Sequence, residues 1–230
     1  MDVPVIADAD TGYGNPLNVI RTVQEYELAG VSAIHIEDQV TPKKCGHMEN
    51  KQVIAAAEMS EKIRAAVEAR RSDDFLIIAR TDARAVEGLD GALGRARTYR
   101  EAGADILFIE APQNEDEIAQ VAHAFPNVPL LFNWAEGGKT PPMPLARLKE
   151  LGYRIVIFPI STVLTAAKAI RMALEEIKAH GTPARIFPDR TTFQEFNQMI
   201  GLGEIQELEK RFATKEGQYS RESKAGVEFY

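Results

Sequence analysis

The chain has 230 residues, 45% hydrophobic and 27% charged, with 27 Lys+Arg against 34 Asp+Glu and a formal net charge of −7. An acidic balance without a basic tract argues against nucleic acid or an anionic membrane as partner, no apolar run reaches the roughly 18 residues of a membrane span, and no signal peptide opens the sequence. The single cysteine, Cys45, excludes an intramolecular disulfide framework and suits a reducing cytoplasm.

Along the chain, short apolar, β-branched runs alternate with amphipathic stretches. Strands are expected at 3–7, 32–37, 75–80, 106–110, 128–133 and 154–158. Helices are expected at 16–30, 53–71, 89–103, 114–125, 144–151 and 162–180. Several stop on Ala-Gly or Leu-Gly, as helix ends do. Strand–helix repetition of this kind means an α/β fold with a mostly parallel sheet.

The strand ends choose between an open doubly wound sheet and a (β/α)8 TIM-type barrel. The first strand ends in Asp8 with Asp10 beyond it on the same parity, the second presents His35 and Glu37, and the next three end in Arg80, Glu110 and Asn133. An open sheet usually builds its site at one switch point, whereas a barrel draws on most of its strands at their C-terminal mouth. A barrel is therefore expected. Six strands are two units short of it, about 60 residues at about 250 for the whole. Residues 189–212 read as one or two short helices and 214–230 as a polar, frayed tail. The expected organisation is a barrel from its third strand onward over 1–188, a helical extension over 189–213 and the tail. Such a barrel leaves strands 3–7 and 154–158 as unpaired edges. The domain thus reads as lacking its start, or as completing itself in another way.

Residues 5–14, VIADADTGYG, place two carboxylates one residue apart at a strand end, where oxygen ligands for a hard divalent cation belong. The same residues also suit a polar turn with Asp10 capping the next helix. Gly12 and Gly14 lack the third glycine of a dinucleotide-binding fingerprint. Glu37 and Asp38 of HIEDQ bring the acids at this mouth to four, which would repel one another without a cation. Magnesium is the expected ion, with manganese as its alternative.

Residues 39–51, QVTPKKCGHMENK, form a connection longer than usual, as lids are. Lys43 and Lys44 beside Cys45, with His47 two residues on, favour a thiolate or ready proton exchange. Beside a metal site, Cys45 reads as proton donor or nucleophile; alone, it reads as an incidental cysteine in an exposed loop. Arg80 ends an apolar strand and needs a carboxylate or an anionic ligand, with Glu110 on the next strand the expected partner. That pair either aims Arg80 at a substrate carboxylate or is purely structural. Asn133 either hydrogen-bonds a substrate oxygen or satisfies loop backbone.

In order along the chain, DADTGYGN, HIEDQ, KKCGH, ARTDA, the glutamate of FIEAP and the asparagine of FNWAEGGKTP resemble the isocitrate lyase/phosphoenolpyruvate mutase superfamily over about residues 3–212. The likeness is to its short-chain carbon–carbon lyases, of the 2-methylisocitrate lyase, 2,3-dimethylmalate lyase and petal-death kind. The resemblance implies a (β/α)8 barrel, Mg2+ at the mouth and a mobile KKCGH loop. It also implies a homotetramer whose protomers exchange a helix near 162–180. By the same resemblance Asp8 ligates the metal directly, and Asp10 and Glu37 do so through water. Cys45 is then the general acid, Arg80 binds and polarises the substrate with support from Glu110, and Asn133, Gly46 and His47 contact its carboxylates. Lys43 and Lys44 stabilise developing charge. The implied reaction is Mg2+-dependent retro-aldol cleavage of a 2-hydroxy di- or tricarboxylate in the cytoplasm, since superfamily members acting on phosphorus–carbon bonds generally lack Cys-Gly-His in this loop. The family's first two strand–helix units, with a Ser-Gly-Gly-type loop, have no counterpart in the sequence. Two alternatives stay open: another chemistry of the superfamily, such as oxaloacetate decarboxylation or phosphonate cleavage, and a truncated, non-catalytic partial barrel.

Overall fold

A computed structural model of the chain describes residues 3–213, so the expected tail at 214–230 lies outside the described residues. In chain order the elements are β1 (Ile6–Asp8), α1 (Pro16–Leu28), β2 (Ala33–Glu37), α2 (Ala56–Ala69), β3 (Leu76–Thr81), α3 (Arg84–Glu101), β4 (Ile106–Ile109), α4 (Glu115–Ala124), β5 (Leu131–Asn133), α5 (Leu145–Leu151), β6 (Ile155–Ile157), α6 (Ser161–His180), a 3-10 turn (Ala184–Asp189), α7 (Phe193–Met199) and α8 (Leu202–Phe212). The described residues fall into two compact units, one up to Leu164 and one from Thr165 on, with α6 beginning in the first and continuing into the second.

In the first unit β1 to β4 form a parallel sheet in chain order, and β5 and β6 form a parallel pair. One bridge, Leu107 to Leu130, joins β4 to the start of β5. Period-two alternation sends Ile34, Ile36, Ile77, Ala79, Leu107 and Phe132 to the helix layer. Ala33, Ile78, Ile106, Phe108 and Leu131 go to the opposite face, where Ile155 and Ile157 pack against them. Burial on both faces is why these strands are apolar almost without interruption. Among the described residues β1 and β6 each have a ladder partner on one side only, so these six strands do not by themselves close a barrel.

Local chemistry explains most boundaries. Asn15, not Asp10, caps α1: its side chain accepts from the backbone of Leu17 and Asn18, and Asn18 returns the bond in a capping box. Helix α2 starts three residues later than 53 because Val53 bridges Gln39 and Ile54 donates to the Asp38 carbonyl. Helix α3 starts before 89, but it breaks at Gly88, whose φ of 79° leaves the helical range. In the second unit Thr192 and Glu195 form a capping box at α7, and α7 and α8 bury no residue.

Candidate active site at the strand ends

Parallel strands bring their C-terminal ends to one side, and the face opposite the helices carries the polar residues. Register pairs Asp8 with His35 and Glu37 with Arg80, while Glu110 and Asn133 follow Phe108 and Leu131 on the same parity. Asp38, one residue past Glu37, points into the helix layer instead. There it accepts from the Tyr99 hydroxyl at 2.7 Å, the Thr81 hydroxyl at 2.7 Å and the Asp82 backbone at 2.9 Å. Three acids therefore gather at the mouth, not four, because adjacent strand residues face opposite ways.

The Lys43 ammonium sits among those three carboxylates, 2.9 Å from Asp10 Oδ1, 3.8 Å from Asp8 Oδ2 and 3.9 Å from Glu37 Oε2. Burial works against its charge, but the bond to Asp10 and the nearby Glu37 and Asp8 prevail and raise its pKa. The Asp10 backbone N–H in turn bonds Asp8 Oδ1 at 2.8 Å. Glu37 is fully buried, yet neither of its oxygens has a hydrogen-bond donor. Burial pushes its pKa up to about 7 despite Arg80 nearby. His35, 3.7 Å from Asp8, is lowered by burial and is a neutral imidazole at pH 7.

This corner fits a hard divalent cation. Its donors are all carboxylate oxygens, an ammonium already occupies their midst, and Glu37 offers buried acceptor atoms with nothing to accept from. Among the described residues no three His, Cys, Asp or Glu side chains are arranged to hold a metal by themselves. A hard cation such as Mg2+ takes one or two carboxylates and keeps several waters.

Arg80 is held from several sides. Asp82 grips it bidentately, with Nε to Oδ2 at 2.9 Å and Nη2 to Oδ1 at 3.2 Å. Its Nη1 lies 3.4 Å from Glu37 Oε2, and the guanidinium stacks 5.0 Å from the Phe108 ring centroid. Burial disfavours the charge, but Glu110, Asp82 and Glu37 outweigh it and raise the pKa further. Asp82, not Glu110, is thus the bonded partner of Arg80, since residues two apart on a strand share a face. Glu110 acts on Arg80 only through its charge. It accepts from Asn133 Nδ2 at 3.1 and 3.3 Å, and His47 Nε2 stands 3.2 Å away.

The 39–51 loop lies over this corner. The Gln39 side chain clasps Lys44 at its backbone N and O, and Val40 donates to the Gln52 carbonyl at 2.9 Å. A Cβ at Gly46 would stand 2.2 Å from Glu110 Oε1 and 2.6 Å from Arg80 Nη2, so only glycine lets the loop come this close. His47 Nδ1 accepts from the Lys139 backbone at 3.0 Å, which places the imidazole proton on Nε2. Asn133 Oδ1 is buried without a hydrogen-bond partner and can meet a ligand, while Nε2, 3.2 Å from Glu110, makes no aligned hydrogen bond to it.

The structure therefore brings together Asp8, Asp10, Glu37, Lys43, Gly46, His47, Arg80, Glu110 and Asn133. Two expected residues stand apart: Cys45 is exposed, and Lys44 bonds the Asn50 carbonyl at 2.9 Å on the exposed side of the loop. Lys43, Lys44 and His47 are each bonded elsewhere than to the thiol, because carboxylates, carbonyls and amides are stronger partners. Sequence reasoning missed Asp82 and Lys51, although Asp82 lies within ARTDA on the parity of Arg80, and Lys51 ends the loop.

A family model described as phosphoenolpyruvate phosphomutase matches residues 1–178. The chain is 49% identical over 212 residues to the 2,3-dimethylmalate lyase of Eubacterium barkeri, covering 92% of this chain and 73% of that protein. It is 48% identical to the 2-methylisocitrate lyase of Aeropyrum pernix, covering 93% and 68%. A crystal structure of a 2,3-dimethylmalate lyase superposes with a TM-score of 0.84 at 40% identity, covering 90% of this chain and 69% of that one. A phosphonopyruvate hydrolase solved with oxalate and Mg2+ gives 0.79 at 31% identity, covering 92% and 74%. The chain belongs to the phosphoenolpyruvate mutase/isocitrate lyase superfamily.

Proposed function

We propose that the chain is a Mg2+-dependent carbon–carbon lyase that cleaves a 2-hydroxy di- or tricarboxylate, of the 2,3-dimethylmalate or 2-methylisocitrate type, to a 2-oxo acid and a second carboxylate. The observation that carries this reading is the juxtaposition of a three-carboxylate, cation-holding corner with a pre-aimed guanidinium under the KKCGH loop. Asp8, with Asp10 and Glu37 through water, would hold Mg2+ (or Mn2+). When bound, the cation lowers the pKa of a chelating substrate hydroxyl.

The chain's own groups do the rest. Arg80, pinned by Asp82, faces a substrate carboxylate with its charge secured. His47 Nε2–H and the Asn133 amide supply further polar contacts to it. Transfer of the hydroxyl proton to a general base turns that C–O bond into a carbonyl and breaks the C–C bond, and the electron pair passes to the enediolate of the leaving carboxylate. Arg80 and Lys43 stabilise this developing charge, with Lys44 available from the loop. Cys45 delivers the proton to carbon, which requires its exposed thiol to turn inward from the loop once substrate is bound. An excluded-water site protects the enediolate until then.

A (β/α)8 architecture belongs to the same reading, supported by six parallel strands, the first five of which end in polar residues on one side. So does a homotetramer with an exchanged helix: α6 buries no residue and exposes Val163, Leu164, Ile170, Met172 and Leu174. A cytoplasmic location belongs to the same reading, supported by the acidic, single-cysteine composition; among the described residues no helix is long and apolar enough to cross a membrane. The test is 2-oxo acid release from 2,3-dimethylmalate, 2-methylisocitrate, isocitrate and oxaloacetate with Mg2+, against an EDTA control. Metal-dependent release from one of the hydroxy acids is expected. Silence from folded protein overturns the reading, and turnover of oxaloacetate alone that survives Cys45→Ala moves the assignment to decarboxylation.

A further inference from the structure

We infer that Lys51 is a positioning residue that latches the 39–51 loop shut over Arg80, an inference resting on the lyase reading above. Lys51 closes the loop at its C-terminal base, and its side chain is only 1% exposed. A lysine is almost never buried to that degree unless its charge has partners. Its ammonium has two: it donates to Asp82 Oδ1 at 2.8 Å and to the Gly46 carbonyl.

The two partners differ in kind. Asp82 is anchored to the fold, because its backbone N–H donates to Asp38, which Tyr99 and Thr81 hold in the helix layer. Both Asp82 oxygens are also already engaged by Arg80. Neutralising Asp82 therefore does not require Lys51. The Gly46 carbonyl, by contrast, belongs to the loop, at the point of its nearest approach to Arg80 and Glu110. The ammonium thus has a fixed half on the strand end and a releasable half on the loop. When the loop lifts, the carbonyl departs and Asp82 keeps its cation. This charge-assisted hydrogen bond holds the loop shut beside those of Lys43 to Asp10 and of His47 to the Lys139 backbone, and the same carboxylate that receives the latch aims the guanidinium. Closure and orientation of Arg80 are set by one pair of residues.

Trypsin reads this directly, since Lys44 is an exposed cleavage site on the loop and Arg71 is an exposed one outside it. In the full chain with Mg2+, Lys51→Met should speed cleavage after Lys44 by roughly tenfold, the scale of one charge-assisted hydrogen bond. Cleavage after Arg71 should change by less than about twofold. Lys51→Arg, which can reach both acceptors, should stay near wild type. The kcat/KM for 2-oxo acid release should fall in step with loop release. Equal acceleration at both bonds, or none at either, overturns the latch. Should Lys51→Met not fold, Lys51→Gln keeps a donor for Gly46 while removing the charge facing Asp82, and the same cleavage ratio decides. Absence of 2-oxo acid release from wild type would overturn the lyase reading alone, because the cleavage ratio needs no turnover.

Discussion

At the ends of β1 and β2, Asp8 and Asp10 stay 51% and 43% exposed and Glu37 lies buried with no donor, all three facing one lysine from a loop. At the ends of β3 to β5, Arg80, Asp82, Glu110 and Asn133 satisfy one another through several bonds, with Phe108 beneath them. The carboxylate corner is short of positive charge, while the Arg80 guanidinium is held in place before any ligand arrives. A buried acid without a donor is costly unless something arrives to answer it. A bidentate, buried arginine is rigid and ready. One corner is built to receive a cation, the other to present one.

The sharpest way to break this contrast is to remove the metal corner's leading acid. Asp8→Asn should lower Mg2+-dependent turnover by roughly a thousandfold or more, and EDTA should do the same to wild type. Unchanged turnover would mean that the carboxylates serve Lys43 and not a metal. Cys45→Ser touches neither corner, so it should slow product formation by about 10²- to 10⁴-fold, the range for a lost proton donor. Mg2+ binding, followed by calorimetry, should stay as in wild type. If binding falls as well, Cys45 is structural.

Gly46→Ala tests the guanidinium corner through the loop that lies on it. The added methyl cannot share space with Glu110 and Arg80, so kcat/KM should drop about 10- to 100-fold while thermal stability holds. A variant as active as wild type would mean the loop need not approach so closely. The smallest effect concerns pH. Burial raises Glu37 from 4.5 to about 7, so between those values the fold holds a proton that the unfolded chain has released. Its contribution to stability is therefore full below about pH 4.5 and is lost as pH rises through about 7 in metal-free protein. Wild type should lose a few more degrees of Tm across that window than Glu37→Gln does. Mg2+, which needs the ionised carboxylate, should raise the wild-type Tm more at about pH 8 than at about pH 6. Identical slopes for the two proteins would show that Glu37 titrates in the fold as it does in water.

Much of this was legible from the sequence because period and position carry it. Four of the six strands fell within a residue range read from apolar runs and the other two, β1 and β3, ran one residue past theirs, while Asp8, Glu37, Arg80, Glu110 and Asn133 shared a face by parity alone. Pairing was harder to read. Parity places Arg80 and Glu110 on neighbouring strands, but it also places Asp82 on the same strand as Arg80, and only side-chain reach decides between them. Asp38 was misplaced by counting acids without applying the same parity to them. Lys51 had no periodic signal, because loops impose none.

Between β4 and β5 the backbone ladder among the described residues thins to the bridge at Leu107 and Leu130, while Glu110 and Asn133 stand on opposite banks of that seam. The amide–carboxylate bond between them is therefore a stitch across the weakest line in the strand array. Breathing at the seam would widen the distance between the two side chains, and with it the gap any ligand has to span.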